Sequence, residues 1–484
     1  SNVEWDFDQA TRGGGYNYTM SGGCKFKGLE IKLGDFWHMS GQRLEVSDYS
    51  LLNNLGTINA SDATLVLSYF DGEGTFNNNA NTNVIYSNCE GSRGSWRFAQ
   101  NVSGASMMND DKTHELGYDA TLGKLIFGDT SVTGFKTMGN DLTLSGMTLP
   151  VGGTIVASSS TINLSDNFNM AGGFIGRGAL DLDGVDEFVT GSTTMATTDV
   201  EGITIEGWCN LTEYPDADPD PSTYGYWYRV NDLLMGFANE NIYVGIELQK
   251  SGGSPYLYPD ISIAAAGIID KDKWHHWAIT WDSGSSFKLY IDGKFTAEEA
   301  VDSEYTELRD RAIGQDWAIG NQTGYENEIN GKIARISRWN VALTEAEIRG
   351  MMFQDWATMA DADVVDDSKC VQWYEFSDRQ NQNDITDMSG SGNTGALKPD
   401  GDTGGWADHG TFTNDTSTLV FSGSAGTTHK LNNKDSDTQN RVNNLTIAPN
   451  NYLDVWTSNA YNGLYIEGTF TMGSGSTIQR DSDT

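Results

Sequence analysis

Short stretches of alternating apolar and polar residues recur along this chain at fairly even intervals, and this pattern limits its fold more than any other feature. Leu29-Glu30-Ile31-Lys32-Leu33, Leu44-Glu45-Val46, Leu65-Val66-Leu67, Leu125-Ile126-Phe127, Leu142-Thr143-Leu144 and Ile162-Asn163-Leu164 follow one another with Gly, Asn and Ser in between. Period-two alternation makes each a strand with one face to bury. Runs this short suit the rungs of a β-solenoid, where each turn covers its apolar face only by stacking on the next. The pattern returns near the other end. Asn140-Asp141-Leu142-Thr143-Leu144 is echoed by Asn443-Asn444-Leu445-Thr446-Ile447, and Ser160-Thr161-Ile162 by Ser476-Thr477-Ile478, with Leu419-Val420-Phe421 and Leu464-Tyr465-Ile466 as further rungs. One repeat type brackets a dissimilar middle, which predicts a globular domain inserted into a solenoid loop. Three unrelated β domains in a row are the alternative.

At 484 residues the chain is too long for one core, and two to four domains are expected. Its 56 glycines and abundant Asn, Asp, Ser and Thr are the vocabulary of short strands and many turns. Lys and Arg number 30 against 67 Asp and Glu, a formal charge of −37 that repels DNA, RNA and anionic lipid surfaces. No nucleic-acid partner is expected. The 14 Trp, 20 Tyr and 19 Phe carry far more apolar surface than a disordered acidic chain. No window approaches a membrane span, so no membrane insertion is expected. The opening Ser1-Asn2-Val3-Glu4-Trp5-Asp6 lacks the basic start and apolar run of a signal peptide, and with no initiator Met the chain reads as a processed or partial piece. Cys24, Cys89, Cys209 and Cys370 are scattered without a CxxC, which argues against a zinc site and a disulfide scaffold. The sequons Asn101-Val102-Ser103 and Asn210-Leu211-Thr212 are of the kind an Asn- and Thr-rich chain makes by chance.

From residue 171 the composition shifts toward Trp, Ile and charged residues. Gly178–Val189 alternates, turns at Asp183-Gly184 and alternates again, and Ile203-Thr204-Ile205-Glu206-Gly207-Trp208-Cys209 is a further strand. Lys273-Trp274-His275-His276-Trp277-Ala278-Ile279-Thr280-Trp281 and Phe287-Lys288-Leu289-Tyr290-Ile291 form a hairpin, closed at its far end by the turn Asp292-Gly293. After Ile333-Ala334-Arg335-Ile336-Ser337-Arg338-Trp339 comes one short helix, with Thr344 as N-cap and Glu347 completing a capping box. In this order, across about 180 residues, these landmarks resemble the laminin-G-like jelly rolls of the concanavalin A-like lectin/glucanase superfamily. Further on, Trp373-Tyr374-Glu375-Phe376 and Asp387-Met388-Ser389-Gly390-Ser391-Gly392-Asn393-Thr394-Gly395 resemble the lead-in strand that normally precedes such a domain. Here they follow it, as a permuted strand or as the return path to the solenoid. The expected fold is all-β, with a solenoid-like (parallel β-helix-like) region at 1–170, a jelly roll at 171–360, a return segment completing it at 361–410, and a second solenoid-like region at 411–484.

The resemblance implies calcium at the sandwich edge, held by oxygen ligands at the matching positions Asp183, Asp186, Asn321 and Asn327. Asp183-Gly184 also reads as plain turn chemistry. Asp216, Asp218 and Asp220 resemble the start of an EF-hand loop, but Pro221 and Trp227 occupy the places of its Gly and Glu, so a solvated acidic loop is expected. Tyr224, Tyr226, Trp227 and Tyr228, in a long loop beside that run and followed by Tyr256 and Tyr258, are candidates for stacking on sugar rings; packing is the alternative role. No GxSxG, HExxH or P-loop is present, nor the Glu-x-Asp-x-x-Glu strand of the glucanases of this fold. His275 and His276 are mid-strand, one facing in and one out, and read as structural. Asp110, Asp111 and His114 resemble the acidic clusters of solenoid polysaccharide hydrolases, without a readable cross-rung geometry. No catalytic activity is expected.

A solenoid shaft with a lectin-like jelly roll and an acidic surface resembles bacteriophage fibre, spike and decoration proteins, and also secreted bacterial adhesins. Both ends stop inside rung-like sequence and cysteines are few, which favours the virion reading: a structural protein on the virion surface, or extracellular, whose partners are surface polysaccharide or neighbouring virion proteins. Homo-oligomers are expected, since solenoid ends expose strand edges. A tailspike-type polysaccharide depolymerase and a purely structural cement subunit are the rivals.

Overall fold

A computed structural model describes residues 17–20, 24–26, 29–31, 36–54, 56–71, 75–79, 81–86, 101–108, 113–116, 119–127, 134–137, 140–148, 154–165, 168–169, 179–184, 187–192, 202–214, 225–230, 233–238, 240–251, 253–308, 316–320, 329–354, 356, 359, 365–376, 385–398, 405–406, 411–413, 416–433, 440–457 and 464–481. The chain divides into two compact units, one of residues 1–176 and 408–484, the other of 177–407.

The first unit is a succession of parallel strands wound into coils. One coil runs through Gly134–Lys136 and Leu142–Thr148, whose first half pairs with Thr161–Leu164 and whose second half pairs with Phe168–Asn169. Three strand positions per coil therefore give three parallel faces. On the short face, Asn17–Thr19, Phe36–His38, Thr57–Asn59 and Thr75–Asn77 form one ladder, and Thr113–Glu115, Gly134–Lys136, Thr154–Val156 and Thr411–Thr413 another. The long face stacks like residues in columns. Leu142, Ile162, Leu419 and Leu445 align in one column, and Leu144, Leu164, Phe421 and Ile447 in the next, all fully or almost fully buried. Alternation puts these side chains inward while Thr143, Asn163 and Val420 face out. The Asn and Asp that precede the rungs accept the backbone N–H of the next coil: Asn101 Oδ1 from Thr121 at 3.0 Å, Asp119 Oδ1 from Asp141 at 2.8 Å, Asp141 Oδ1 from Thr161 at 2.8 Å, and Asn444 Oδ1 from Thr469 at 2.8 Å.

Pairing of Thr161–Leu164 with Thr418–Phe421 carries the ladder straight across the intervening domain. The coil before the insertion and the coil after it are direct neighbours. Not every expected rung shares a face, however. Leu29–Ile31 pairs with the second half of the long strand Arg43–Asn54, whereas the partner of Leu44 is Cys24. Likewise Leu464–Ile466 lies on the short face, and Ile478 pairs with Leu453 instead of joining the column of Ile162. Alternation marks a strand but not the face of the coil it belongs to.

The second unit is a sandwich. Its eight-stranded antiparallel sheet orders Lys294–Glu299, Phe287–Ile291, Trp274–Asp282, Gly202–Leu211, Asn330–Trp339, Leu180–Asp183 and Gly405–Trp406, with Cys370–Tyr374 also on Asn330–Trp339. A seven-stranded sheet orders Asp260–Ala264, Asn241–Gly245, Leu233–Ala238, Gly225–Val230, Asp316–Ile319, Phe188–Ser192 and Ala396–Lys398. The return segment thus supplies strands to both sheets. Between the sheets lies one apolar core that includes Ile203, Ile205, Trp227, Phe237, Trp277 and Ile336. The outer face of the eight-stranded sheet is covered as well, by the helix Glu345–Met351 and the segments around it, with Ala278, Trp339, Ile348, Met351 and Trp373 in a second core. This explains why all ten residues of Gly202–Leu211 are buried. The helix opens on the expected capping box, Thr344 accepting from the Glu347 backbone while Glu347 accepts from the Thr344 backbone.

Candidate functional site

The four expected glycan-contact residues do not form one exposed group. Tyr224 lies outside the described residues, as does the side chain of Tyr226. Trp227 and Tyr228, read as loop residues facing a sugar, are instead fully buried in the strand Gly225–Val230. The cause is a bulge: Tyr226 pairs with Gly236 and Tyr228 with Met235, leaving Trp227 as the extra residue. Trp227 and Tyr228 both then turn into the core. Trp227 stacks on Trp277 at 5.8 Å and meets Phe237 edge-on at 4.6 Å, while the Tyr228 hydroxyl donates to Gln372 Oε1 at 2.6 Å. Neither ring is available to a ligand.

Of the calcium candidates, Asp186, Asn321 and Asn327 lie outside the described residues, and Asp183 is exposed at the end of its strand. Glu187 Oε2 accepts the Asp183 backbone N–H at 2.8 Å, and Asn330 Nδ2 donates to Glu213 Oε1 at 2.9 Å. Among the described residues no three His, Cys, Asp or Glu side chains gather as a metal-binding group. Asp110 and Asp111 lie outside the described residues, as does the His114 side chain, and so do Asp216, Asp218 and Asp220. Asn210 of the second sequon is buried and cannot accept a glycan.

Exposed aromatic surface occurs elsewhere. Gly253–Leu257, Leu248–Lys250 and Tyr305–Leu308 form a small antiparallel sheet in which Tyr256 pairs with Gln249 and Gln249 with Glu307. Residues opposite one another in a ladder share a face. On the inner face Leu248 and Leu308 belong to the sandwich core and Leu257 packs against it, which fixes the sheet to a rigid body. On the outer face Tyr256 is 39% exposed, and Tyr258, just past the strand end, is 58% exposed. Gln249 Nε2 donates to Glu307 Oε2 at 3.1 Å. Lys250 sits over the Tyr305 ring at 5.2 Å and pairs with Glu304, whose hydrogen bond raises the lysine pKa. A ring that can stack, an amide and a carboxylate thus line one face. The sequence names these two tyrosines only as followers of the Tyr224 cluster; the alternation of Leu248 and Leu257 with Gln249 and Tyr256 is the signal that separates them from it.

A buried polar cluster lies between the eight-stranded sheet and its helix. Glu206, His276 and Ser337 are fully buried, and Arg335 almost so. Glu206 Oε2 accepts from His276 Nε2 at 2.6 Å and from Arg335, and Oε1 accepts from the Ser337 hydroxyl. Arg335 is the bulged residue between Ile336 and Ala334, whose partners are Gly207 and Trp208, and its φ of 37° turns it out of the ladder toward the helix layer. There it also donates to Met351 O at 2.5 Å and Gln354 O at 3.1 Å and covers the Trp373 ring at 4.9 Å. Burial pushes the Glu206 carboxyl up, but the Arg335 charge, His276 and the Ser337 hydroxyl outweigh it and leave the group below its ordinary value. Burial pushes His276 down. The imidazole is therefore neutral, with its proton on Nε2 facing the carboxylate. His275 is committed as well: Nε2 accepts the Asp270 backbone N–H at 3.0 Å and Nδ1 faces Asp292 Oδ2 at 3.0 Å. Both histidines are buried, because the sheet is covered on both faces rather than one.

Residues 183–349 match the Laminin_G_3 family model, described as the concanavalin A-like lectin/glucanases superfamily. No curated protein matches the chain. Among solved structures, a Bacteroides ovatus protein provisionally described as carbohydrate binding is 15% identical with a TM-score of 0.33, the match covering 46% of this chain and 58% of that one. The chain thus spans little more than half of that structure. A heptameric SAP-like pentraxin from Limulus polyphemus is 16% identical with a TM-score of 0.26, covering 36% of this chain and 81% of that one. The receptor binding domain of botulinum neurotoxin D is 14% identical with a TM-score of 0.27, covering 35% and 42%. The middle of the chain is a concanavalin A-like jelly roll, set within a β-solenoid-like stack.

Proposed function

We propose that this chain is a non-catalytic virion structural protein, of the fibre, spike or decoration kind, whose solenoid presents a lectin-like jelly roll to surface glycans. The observation that carries the glycan reading is the pair Tyr256, exposed on a small sheet whose inner face is locked into the sandwich core, and Tyr258, exposed just past the end of its strand. Aromatic rings held on a rigid support stack on the apolar face of a pyranose at little ordering cost. The non-catalytic reading is supported by the histidines, both buried and engaged with their own sheet. Weak single contacts of this kind become useful when several copies present them together, which favours a homo-oligomer. The decisive measurement is retention of the protein on immobilised polysaccharides. Tyr256→Ala and Tyr258→Ala should each weaken retention about tenfold with unchanged melting. Unchanged retention in both variants would remove the site, and release of reducing ends from any polysaccharide would overturn the non-catalytic reading. Antibodies to the chain that fail to label intact virions would overturn the virion setting.

A further inference from the structure

The glycan reading leaves the sugar unspecified, and the inference here rests on that reading. We propose that the Tyr256 face takes uncharged pyranosides through a vicinal pair of hydroxyls and rejects uronic and sialic acids. The register sets Tyr256, Gln249 and Glu307 side by side across three strands. Gln249 is 7% exposed, and its amide holds the Glu307 carboxylate by one oxygen, Oε2, at 3.1 Å. The other oxygen, Oε1, receives no donor among the described residues. An ionised carboxylate only accepts hydrogen bonds, so its complement is a donor, and adjacent sugar hydroxyls supply two at the edge of a ring stacked on Tyr256.

The same groups disfavour an anion. A ligand carboxylate arriving on this face meets Glu307, and the exposed Asp302 and Glu304 lie just before it in the chain, Glu304 paired with Lys250 of the neighbouring strand. The nearby ammonium of Lys250 is already paired with Glu304 and lies against the Tyr305 ring. At the scale of the whole chain, the formal charge of −37 repels polyanions before they make contact.

The test uses the full chain on three immobilised probes: dextran or a mannan as neutral polymers, polygalacturonate, and polysialic acid, each at low and at physiological salt. The neutral polymers should be retained and both acidic ones should pass. Glu307→Gln, which keeps the shape and removes the acceptor charge, should weaken neutral retention about tenfold or more with an unchanged melting curve. Retention of either acidic polymer that Tyr256→Ala abolishes would uphold the glycan site and overturn this specificity. Neutral retention unaffected by Glu307→Gln would overturn it too. Passage of all three probes would overturn the glycan reading and this inference together.

Discussion

Arg335 shows how one residue ties two layers together. Its left-handed backbone, at φ 37°, is uncommon for a side chain of this size and persists because Glu206, two main-chain carbonyls and the Trp373 ring all hold the guanidinium. Neutralising its partner should be costly. Glu206→Gln leaves a buried cation without its anion and is expected to destabilise the jelly roll by about 3–5 kcal/mol. The same pair sets an acid dependence. His276 is depressed below its ordinary 6.5, so on unfolding it takes up a proton; its contribution is complete above that value and is lost as the pH falls below it. Glu206 is depressed below its ordinary 4.5, so its contribution is present above that value and is lost as the pH falls through its lowered one. Both act in the same direction. Urea midpoints taken at pH 8, 6 and 5 should therefore decline toward acid, and the decline should be shallower in His276→Gln; a flat profile would contradict the assignment. At this scale the sequence was only partly legible. The capping box of Thr344 and Glu347 was readable because a cap depends on residues three apart. The inward turn of Trp227 and Tyr228 was not, because a bulge shifts the alternation by one and depends on the neighbouring strand.

Among elements, the rungs repeat because each covers its neighbour. Leu164 lies between Leu144 and Phe421, so its side chain joins the coil before the insertion to the coil after it. Leu164→Ala should cost about 2–5 kcal/mol and raise amide exchange locally in Leu142–Thr148, Thr161–Leu164 and Thr418–Phe421. Exchange in Gly202–Leu211 of the sandwich should not change. The presence of rungs was readable from alternation and from Asn-Asp and Asn-Asn pairs ahead of them, which cap the next coil. Their assignment to faces was not. Leu29 and Leu464 have the spacing of consecutive rungs, yet they sit on other faces, since chain length around a coil varies with its turns. Strands Cys370–Tyr374 and Ala396–Lys398 posed the same difficulty: their partners, Asn330–Trp339 and Phe188–Ser192, are distant in sequence, so order along the chain conceals which sheet they complete.

For the whole molecule, the two units have separate cores, one of solenoid residues and one of sandwich residues. Residues 177–407 expressed alone should fold and keep the Tyr256-dependent glycan contact, and a chain lacking them should still form the stack. Size-exclusion chromatography and circular dichroism check both. Aggregation of the shortened stack would show that the ladder between Thr161–Leu164 and Thr418–Phe421 needs the domain to form. The insertion was legible because the same rung pattern appears on both sides of an unlike segment. The residues of the proposed ligand face were harder to read, since exposure of Tyr256 follows from which side of a small sheet meets the core.

The position of the insertion has a further consequence. The chain leaves the stack after Phe168–Asn169 and rejoins it at Thr411–Thr413, the step that Thr148 to Thr154 makes elsewhere across five residues. In chain order the inserted domain therefore stands where five residues suffice elsewhere. A ladder whose register resumes unchanged beyond an insertion places no demand on the inserted sequence, so that segment is free to diversify while the rungs on either side stay constant.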